Sequence, residues 1–169
     1  GHYGFLRSCV GIDLRGQPLM IYAADLGRGP DNRMWVLGDR TQAPSGAGYA
    51  LENRTVMARV QRAFFGEGKI RRLSNFFRDL QVALAKLAPR EENPRIVVLT
   101  PGPFNETYFE HAYLANYLGY SLVQGDDLTV RDGQVWLKSI EGLRSVDVIM
   151  RRVDDAFCDP LELNKSSWL

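Results

Sequence analysis

Residues 95–119 constrain the fold of this chain more than any other stretch. They begin with Ile96–Leu99, a continuous apolar run rich in β-branched residues. Such a run is typical of a strand that is buried on both faces of a parallel sheet. A Pro-Gly-Pro turn at 101–103 then blocks continuation of the strand. The stretch therefore predicts the central strand of an α/β sheet.

A helix is predicted directly after this turn. Asn105 stands where its side chain can cap a helix that begins at Glu106. Gly119 stands where a left-handed residue closes such a helix. Ligands of open α/β sheets bind beyond the carboxyl ends of the strands. Residues 100–106 are therefore the first candidate for a ligand-binding loop.

The residues ahead of this unit predict an antiparallel meander followed by two helices. Short apolar runs bounded by turn residues predict strands at 9–13, 18–25 and 34–37. Apolar residues at three- and four-residue spacing predict helices at 49–65 and 69–88. We therefore expect a small antiparallel lobe at the N-terminus, joined to the α/β unit by a helix.

The residues after Gly119 predict further strands. Residues 120–124 and 146–151 are short apolar runs of the kind found in buried strands. Between them, residues 128–131 and 134–138 flank Asp132-Gly133, a dipeptide typical of two-residue hairpin turns. The expected fold class is therefore α/β.

The composition of the chain argues against several kinds of partner. Its 21 Lys and Arg against 20 Asp and Glu give a net charge of +1, so bulk charge favours neither nucleic acid nor an anionic membrane. No apolar run reaches the length of a membrane span. Cys9 and Cys158 are too few for a disulfide framework and too far apart for a zinc motif. We therefore expect a cytoplasmic protein.

A polar loop at 39–49 is the first stretch whose residues could bind a ligand. It offers glycine amides, hydroxyl groups, a guanidinium and a carboxylate, and it leads into a predicted helix. Such a loop can bind a phosphate or a carboxylate through backbone amides. An ordinary structural turn explains the same residues, because Gly46-x-Gly48 alone is not a nucleotide fingerprint. The sequence leaves both interpretations open.

A second polar cluster, at 151–160, follows the last predicted strand. Arg151 and Arg152 point to opposite sides of a strand, so at most one of them faces a given pocket. Asp154, Asp155 and Asp159 could hold a divalent cation or orient a guanidinium. A solvated, salt-bridged strand end is the alternative interpretation.

Three further titratable residues lie on the helix that follows the Pro-Gly-Pro turn. Glu106 and Glu110 are one turn apart, and His111 follows directly. Acid-base chemistry is one interpretation of this group. The favoured one is that Glu106 complements the helix dipole while Glu110 and His111 are surface or packing residues, because a catalytic histidine needs a positioned partner.

Three stretches together resemble one known family. They are DRTQAPSGAGYALENR at 39–54, LTPGPFNETYFEHAYLANYLG at 99–119 and RRVDDAFCDPLEL at 151–163. In this order they are similar to the circularly permuted ATP-grasp proteins of type 2, a group also described as glutathionylspermidine-synthase-like. The resemblance covers residues 11–163.

The resemblance implies a bacterial ligase that uses ATP and Mg²⁺ to activate a carboxylate as an acyl phosphate and to pass it to an amine. The implied partners are small-molecule or peptide carboxylate and amine substrates. The implied fold is a small antiparallel ATP-grasp-core lobe (1–66), a connecting helix and linker (67–93) and a Rossmann-like pre-ATP-grasp domain (94–169). The remaining ATP-grasp lobes would follow residue 169, so this chain alone is expected to bind ATP poorly and to have no turnover. Self-association into a homo-oligomer is left open.

The resemblance also implies roles for individual residues. The metal ligand would be Asp39. The cofactor contacts would be Arg40, Ser45, Gly46, Gly48, Asn53 and Arg54. The catalytic residues would be Arg151, Arg152 and Asp154. The substrate contacts would be Thr100, Asn105 and Glu106.

One departure from the family pattern bears on the metal. Relatives of this kind have Glu-Asp-Asn-x-Arg ahead of Pro-Ser-Gly, and the Glu and Asn resemble metal ligands. This chain has Gly38, Arg40 and Gln42 at the Glu, Asn and Arg positions, so only Asp39 remains as a ligand. The Arg40 guanidinium can partly replace Mg²⁺ in neutralising phosphate. The rival hypothesis is a non-catalytic binding or scaffolding module.

Overall fold

The computed structural model describes residues 5, 7, 10–12, 19–66, 70–90 and 92–158. Within these ranges the chain has a mixed α/β fold with three sheets. The helices are α1 (Ala47–Val60), α2 (Arg62–Gly66), α3 (Ser74–Ala85) and α4 (Tyr108–Leu118). The strands are β1 (Ala23–Arg28), β2 (Met34–Arg40), β3 (Ile96–Leu99), β4 (Ser121–Val123), β5 (Leu128–Arg131), β6 (Gln134–Ser139), β7 (Gly142–Ser145) and β8 (Val148–Arg151).

Strand β3 lies at the centre of a parallel sheet, between β4 and β8. Its four residues are all buried. Ile96 and Val98 pack into the core that contains the helices, whereas Val97 and Leu99 pack into a second core on the opposite face. Because side chains alternate along a strand, one apolar run supplies both cores. The predicted central strand is confirmed.

Helices α3 and α4 cover one face of this sheet. Phe77 on α3 packs edge-on against the ring of Tyr117 on α4, with the ring centroids 5.1 Å apart. The same core contains Leu80, Leu84 and Leu118. Helix α3 occupies the middle of the predicted range 69–88; residues 67–69 lie outside the described part of the chain.

The start of α4 corrects one prediction. The helix begins at Tyr108 rather than at Glu106, and Thr107 occupies the N-cap position. Asn105 Oδ1 accepts hydrogen bonds from the backbone N–H of Thr107 (2.9 Å) and from its hydroxyl (2.6 Å). These bonds form a turn that delays the helix. The other end is as predicted, since Gly119 is left-handed at φ +72°.

The antiparallel sheet β5–β6–β7 lies against the second core. Strands β5 and β6 pair across Asp132-Gly133, whose φ values of +52° and +72° are those of the predicted hairpin turn. Strand β7 pairs with β6 and was not predicted, because Gly142–Ser145 is too short to show a clear alternation. The strand predicted at 146–151 is confirmed as β8, which starts two residues later at Val148.

The described residues of the N-terminal region form a two-stranded hairpin, where a three-stranded meander was predicted. Strands β1 and β2 pair antiparallel, with an irregularity between Asp25 and Leu26. The first predicted strand, 9–13, lies partly outside the described residues, and its described residues 10–12 are not in a strand. The helix predicted at 49–65 is two helices, because Gln61 leaves helical geometry at φ −119° and ψ 58°.

Among the described residues, no helix is long and apolar enough to cross a membrane. The domain boundaries at 66 and 94 remain a prediction.

Candidate functional site

A cleft of about 660 Å³ lies at the carboxyl ends of β3, β4 and β8. Thr100 follows β3, Gln124 follows β4 and Arg152 follows β8, and all three line the cleft. Asn105 and Glu106 from the predicted ligand loop form another part of its wall. In the sheet order β4-β3-β8, the chain passes from β3 to β4 on one side and later returns to β8 on the other side. The cleft lies where the strand order reverses, which is the usual ligand position in such sheets.

Arg152 joins the cleft to the loop that precedes α1. Only 6% of this residue is exposed, and its Nη2 donates to the carbonyl oxygen of Pro44 (2.9 Å) and to Oγ of Ser45 (3.4 Å). Asp154 also lines the cleft, whereas Arg151 does not. The prediction that only one of the two arginines faces a given pocket is therefore confirmed.

The charge of Arg152 is enclosed. Burial lowers the pKa of its guanidinium from the ordinary value, while the nearby carboxylate of Glu110 raises it. Arginine nevertheless stays protonated in proteins. Within the described part of the chain, its Nε is buried and has no hydrogen-bond partner. The guanidinium therefore keeps donor capacity that the protein does not use.

Glu110 is fully buried and holds the start of α1. Its Oε1 and Oε2 accept the backbone N–H of Gly46 at 2.8 and 2.9 Å, and Oε1 accepts that of Gly48 at 3.0 Å. A carboxylate at this position also complements the positive end of the helix. The loop thus binds an anion, but that anion belongs to the chain itself. A phosphate at Ser45, Gly46 and Gly48, as predicted, would need other donors or displacement of Glu110.

The glycine at position 48 is required by close packing. A Cβ there would lie 2.7 Å from Cγ of Glu110 and 3.3 Å from Cγ of Leu114. Gly46 has a different requirement, because its φ of +124° is one that residues with a side chain rarely adopt. The two glycines that suggested a phosphate loop are therefore also explained by the docking of α1 on α4.

His111 lies in the wall of the cleft and takes part in a chain of hydrogen bonds that run in one direction. Its Nδ1 is 2.9 Å from Oγ1 of Thr100, and its Nε2 is 3.0 Å from Oγ1 of Thr107. The hydroxyl of Thr107 donates to Asn105, so it accepts from Nε2–H of His111. Nδ1 is then the acceptor, and the hydroxyl of Thr100 donates to it.

Burial keeps His111 neutral. The residue is 1% exposed. Its pKa is lowered from 6.5 to about 4, first by burial and then by the positive charge of Arg152. A neutral imidazole with both nitrogens bonded is suited to positioning its neighbours. Glu110 and His111 were predicted to be surface or packing residues, and their burial favours packing over a surface position.

A second cavity, of about 710 Å³, lies at the base of the β1–β2 hairpin. Its walls include Asp39, Arg40, Ser45 and Glu106, and it shares Ser45 and Glu106 with the cleft. The two cavities therefore adjoin. Ala43, which lines both, has φ +39°, a strained value for a residue with a Cβ.

The residues around Asp39 do not fit a divalent cation. Oδ1 of Asp39 accepts the hydroxyl of Tyr22 at 2.5 Å, which raises the pKa of that tyrosine. Nε of Arg40 donates to both oxygens of Asp25, at 3.2 and 3.0 Å. No group of three or more His, Cys, Asp or Glu side chains within the described ranges could hold a metal. A guanidinium, rather than Mg²⁺, neutralises the carboxylate of Asp25.

Two predicted cofactor contacts lie away from both cavities. Asn53 is exposed on α1. Arg54 donates from Nη1 to the carbonyl oxygen of Arg71 at 3.0 Å, and its guanidinium lies 5.9 Å from the ring centre of Phe65. Neither residue lines the cleft or the hairpin cavity. Their proposed role in cofactor binding stays a prediction.

The comparison with known families decides the identity of the chain. A sequence profile described as circularly permuted ATP-grasp type 2 matches residues 1–169. The chain belongs to this family. The resemblance inferred from the three stretches is therefore confirmed, and this ATP-grasp chain can be compared with its relatives.

The relatives are longer proteins without an assigned function. An uncharacterized protein of Mycobacterium tuberculosis is 44% identical over 99% of this chain and 19% of its own length. Uncharacterized proteins of Mycobacterium leprae and Synechocystis are both 42% identical over 98% of this chain, and the match covers 30% and 35% of their lengths. This ATP-grasp chain thus spans between about a fifth and about a third of these relatives.

Sequence reasoning underrated Glu110 and His111 as parts of the site. A signal was present, because Glu110 lies four and eight residues before Leu114 and Leu118 and thus shares their buried helix face. His111 shares a face with Ala115 in the same way. Polar residues on an apolar face of a helix need partners. In this chain those partners are the loop before α1 and the wall of the cleft.

Proposed function

We propose that this chain is part of an ATP-dependent ligase that joins a carboxylate to an amine. The match of the ATP-grasp family to residues 1–169 carries the proposal. The cleft at the carboxyl ends of β3 and β8 supports it, because this is where α/β folds bind small molecules. Such a ligase works where ATP is made and used, so we assign it to the bacterial cytoplasm.

The fold supports an assignment of separate domains along the chain. We assign residues 1–66 to a partial ATP-grasp-core lobe and 67–93 to a connector. The parallel order β4-β3-β8 supports a Rossmann-like pre-ATP-grasp domain at 94–169. The match covers only 19–35% of the three relatives, so the lobes that grip adenine belong to the rest of the intact protein.

The residues of the two adjoining cavities would act by position and charge. Arg152 would stabilise negative charge on the reacting groups, since a buried cation acts strongly where water is excluded. Asp154 would orient the amine, and Arg151, at the end of β8, would contact the other ATP-grasp lobes of the intact protein. Ser45 and Arg40 would face the phosphates from the hairpin cavity. None of these residues needs to act as a nucleophile.

ATP supplies the phosphoryl group that activates the carboxylate. Because the residues near Asp39 do not fit Mg²⁺, the cation that accompanies ATP would be held by other parts of the intact protein. Two roles that the family pattern places together would thus be separate in this protein. Arg40 would neutralise charge at the hairpin, and metal ligation would lie elsewhere.

A non-catalytic binding module is the second candidate. The observation that favours it is the pairing of Asp25 with Arg40, which occupies a carboxylate otherwise free to bind a cation. Such a module would dock a partner protein through the same fold. It would have no turnover.

Calorimetric titration of Mg²⁺-ATP into the intact protein separates the two candidates. A ligase is expected to bind the nucleotide and to release ADP only when a carboxylate and an amine are both present. The Arg152→Met variant should bind ATP but lose ADP release, whereas Arg131→Met, on the exposed β5–β6 hairpin, should behave like the parent. No heat at millimolar nucleotide, or nucleotide binding without any substrate-dependent turnover, would support the binding module.

A further inference from the structure

The side chain of Asn105 has its oxygen engaged, so the amide donor is the group left for a ligand. Its Oδ1 accepts the backbone N–H of Thr107, and a backbone N–H can only donate, so the oxygen position is fixed. The hydroxyl of Thr107 donates to the same oxygen. This direction follows because an amide oxygen can only accept a hydrogen bond. Within the described residues, the Nδ2 group of Asn105 has no protein partner, and Asn105 lines the cleft.

Arg152 adds a second set of donors to the same cavity. Among the described residues, Nη2 is the only guanidinium nitrogen of Arg152 that makes hydrogen bonds, to Pro44 and Ser45. A guanidinium has five N–H donors in total. Its Nε is buried without a partner among the described residues. A buried cation with unused donors favours a bound anion. The inner cleft is therefore matched to an oxygen-rich negative group.

The mouth of the cleft has the opposite charge. Glu106, Asp126 and Asp154 all line it, and all three are exposed. Carboxylates at a rim repel an incoming dianion and attract an ammonium group. The cleft thus has a positive donor wall inside and a negative rim outside.

We infer that the cleft binds a zwitterionic amino acid or short peptide, with its carboxylate at Asn105 and Arg152 and its ammonium group at the acidic rim. The inference rests on the proposed function, because it identifies one substrate class of the ligase. A volume of about 660 Å³ accommodates a ligand of this size. A phosphate dianion would meet the same inner donors, but it would gain nothing from the rim and would be repelled by it.

Binding of L-alanyl-L-alanine to the intact protein, without nucleotide, tests the inference. In ¹⁵N-resolved spectra the side-chain amide signals of Asn105 should shift as the dipeptide is added. N-acetylated dialanine lacks the ammonium group, and dialanine amide lacks the carboxylate. We expect both to bind at least about tenfold more weakly, the equivalent of one lost charged contact. Inorganic phosphate should bind more weakly than the dipeptide.

The Asn105→Asp variant is the sharpest substitution. It keeps the oxygen that Thr107 needs and replaces only the donor with a negative charge, so the turn is preserved. Dipeptide binding should fall by at least about tenfold. Asn116→Asp adds the same charge at an exposed position of α4 outside the cleft and should leave binding unchanged.

These binding measurements test the inference without any measurement of the ligase reaction. A dipeptide that leaves the Asn105 signals in place, a phosphate that binds more tightly than the dipeptide, or an Asn105→Asp variant that binds normally each overturns the inference. The wild-type signals give a result even if the variant does not fold. ATP binding is measured separately, so a protein that binds ATP but no dipeptide refutes this inference alone. A protein that binds dipeptide but no ATP refutes the proposed function alone.

Discussion

Both carboxylate oxygens of Glu110 accept the backbone N–H of Gly46, at 2.8 and 2.9 Å, across a separation of 64 residues. This contact fixes the loop before α1 to helix α4. The same loop is held from the sheet side by Arg152. The wall between the two cavities is therefore set by two buried charges of opposite sign.

Replacing Glu110 with Gln should destabilise the fold. Gln retains one oxygen, but its amide group would face the N–H of Gly46 or Gly48, leaving a buried donor without an acceptor. We expect a loss of about 2 kcal/mol in the free energy of unfolding. Urea denaturation followed by circular dichroism measures it. The exposed Glu92→Gln is the matched control and should change stability by less than about 0.5 kcal/mol; equal losses in both variants would show that Glu110 has no special role.

Replacing Gly48 with Ala should also destabilise the fold, for a steric reason. The added methyl group would lie 2.7 Å from Cγ of Glu110, so α1 and α4 would have to move apart. We expect a cost of about 1–3 kcal/mol, in the range of overpacked cores. Gly38→Ala is the control, because its nearest contact is an ordinary 3.5 Å to Oδ2 of Asp25. A melting temperature of Gly48→Ala equal to or above that of Gly38→Ala would contradict the close packing at Gly48.

His111 makes stability depend on pH in a defined window. Its pKa is about 4 in the folded chain, whereas the ordinary value of 6.5 applies to the unfolded chain. Between these two pH values the unfolded chain therefore binds more protons than the folded chain. The contribution of His111 to the free energy of unfolding is fully present above pH 6.5 and falls as the pH drops towards 4. The contribution lost is about 3 kcal/mol at most.

The His111→Asn variant isolates this effect. Asn cannot take up a proton, so the variant should be less stable at neutral pH but should lose less stability between pH 6.5 and 4 than the parent. The chain has two histidines, so comparison of the two slopes assigns the difference to His111. Chemical denaturation at several pH values provides the slopes. Parallel slopes would mean that His111 is not kept neutral.

The Asp25–Arg40 pair predicts how the hairpin responds to metal. With the Arg40 guanidinium on both oxygens of Asp25, Mn²⁺ should show no saturable binding at the hairpin. Arg40→Asp removes the cation and adds a carboxylate on the same face of the hairpin as Asp25, so weak Mn²⁺ binding should appear. Electron paramagnetic resonance of Mn²⁺ in solution detects the difference. Arg33→Asp, in the turn before β2, controls for the change in net charge. Equal Mn²⁺ binding by the two variants would contradict the prediction.

The secondary structure that sequence predicted best is the part with strong local signals. The run Ile96–Leu99 became the central strand, Gly119 closed α4, and Asp132-Gly133 formed its turn. Each of these outcomes has a strong signal in the residues next to it in the sequence. The prediction of a helix at 49–65 missed its break at Gln61, and the start of α4 was displaced because a side-chain turn competed with the helix.

The same distinction between what the sequence predicts and what only the folded chain shows applies to the candidate site. The sequence by itself determined the family, the loop at the end of the central strand and the expectation that at most one of Arg151 and Arg152 lines a given pocket, because these follow from motif, strand order and the twofold repeat of a strand. Only the tertiary structure decided that Glu110 occupies the amides of Gly46 and Gly48, and that Arg40 neutralises Asp25. Those contacts join residues that are separated in the sequence, and they depend on how helices pack and strands pair, which no local pattern records.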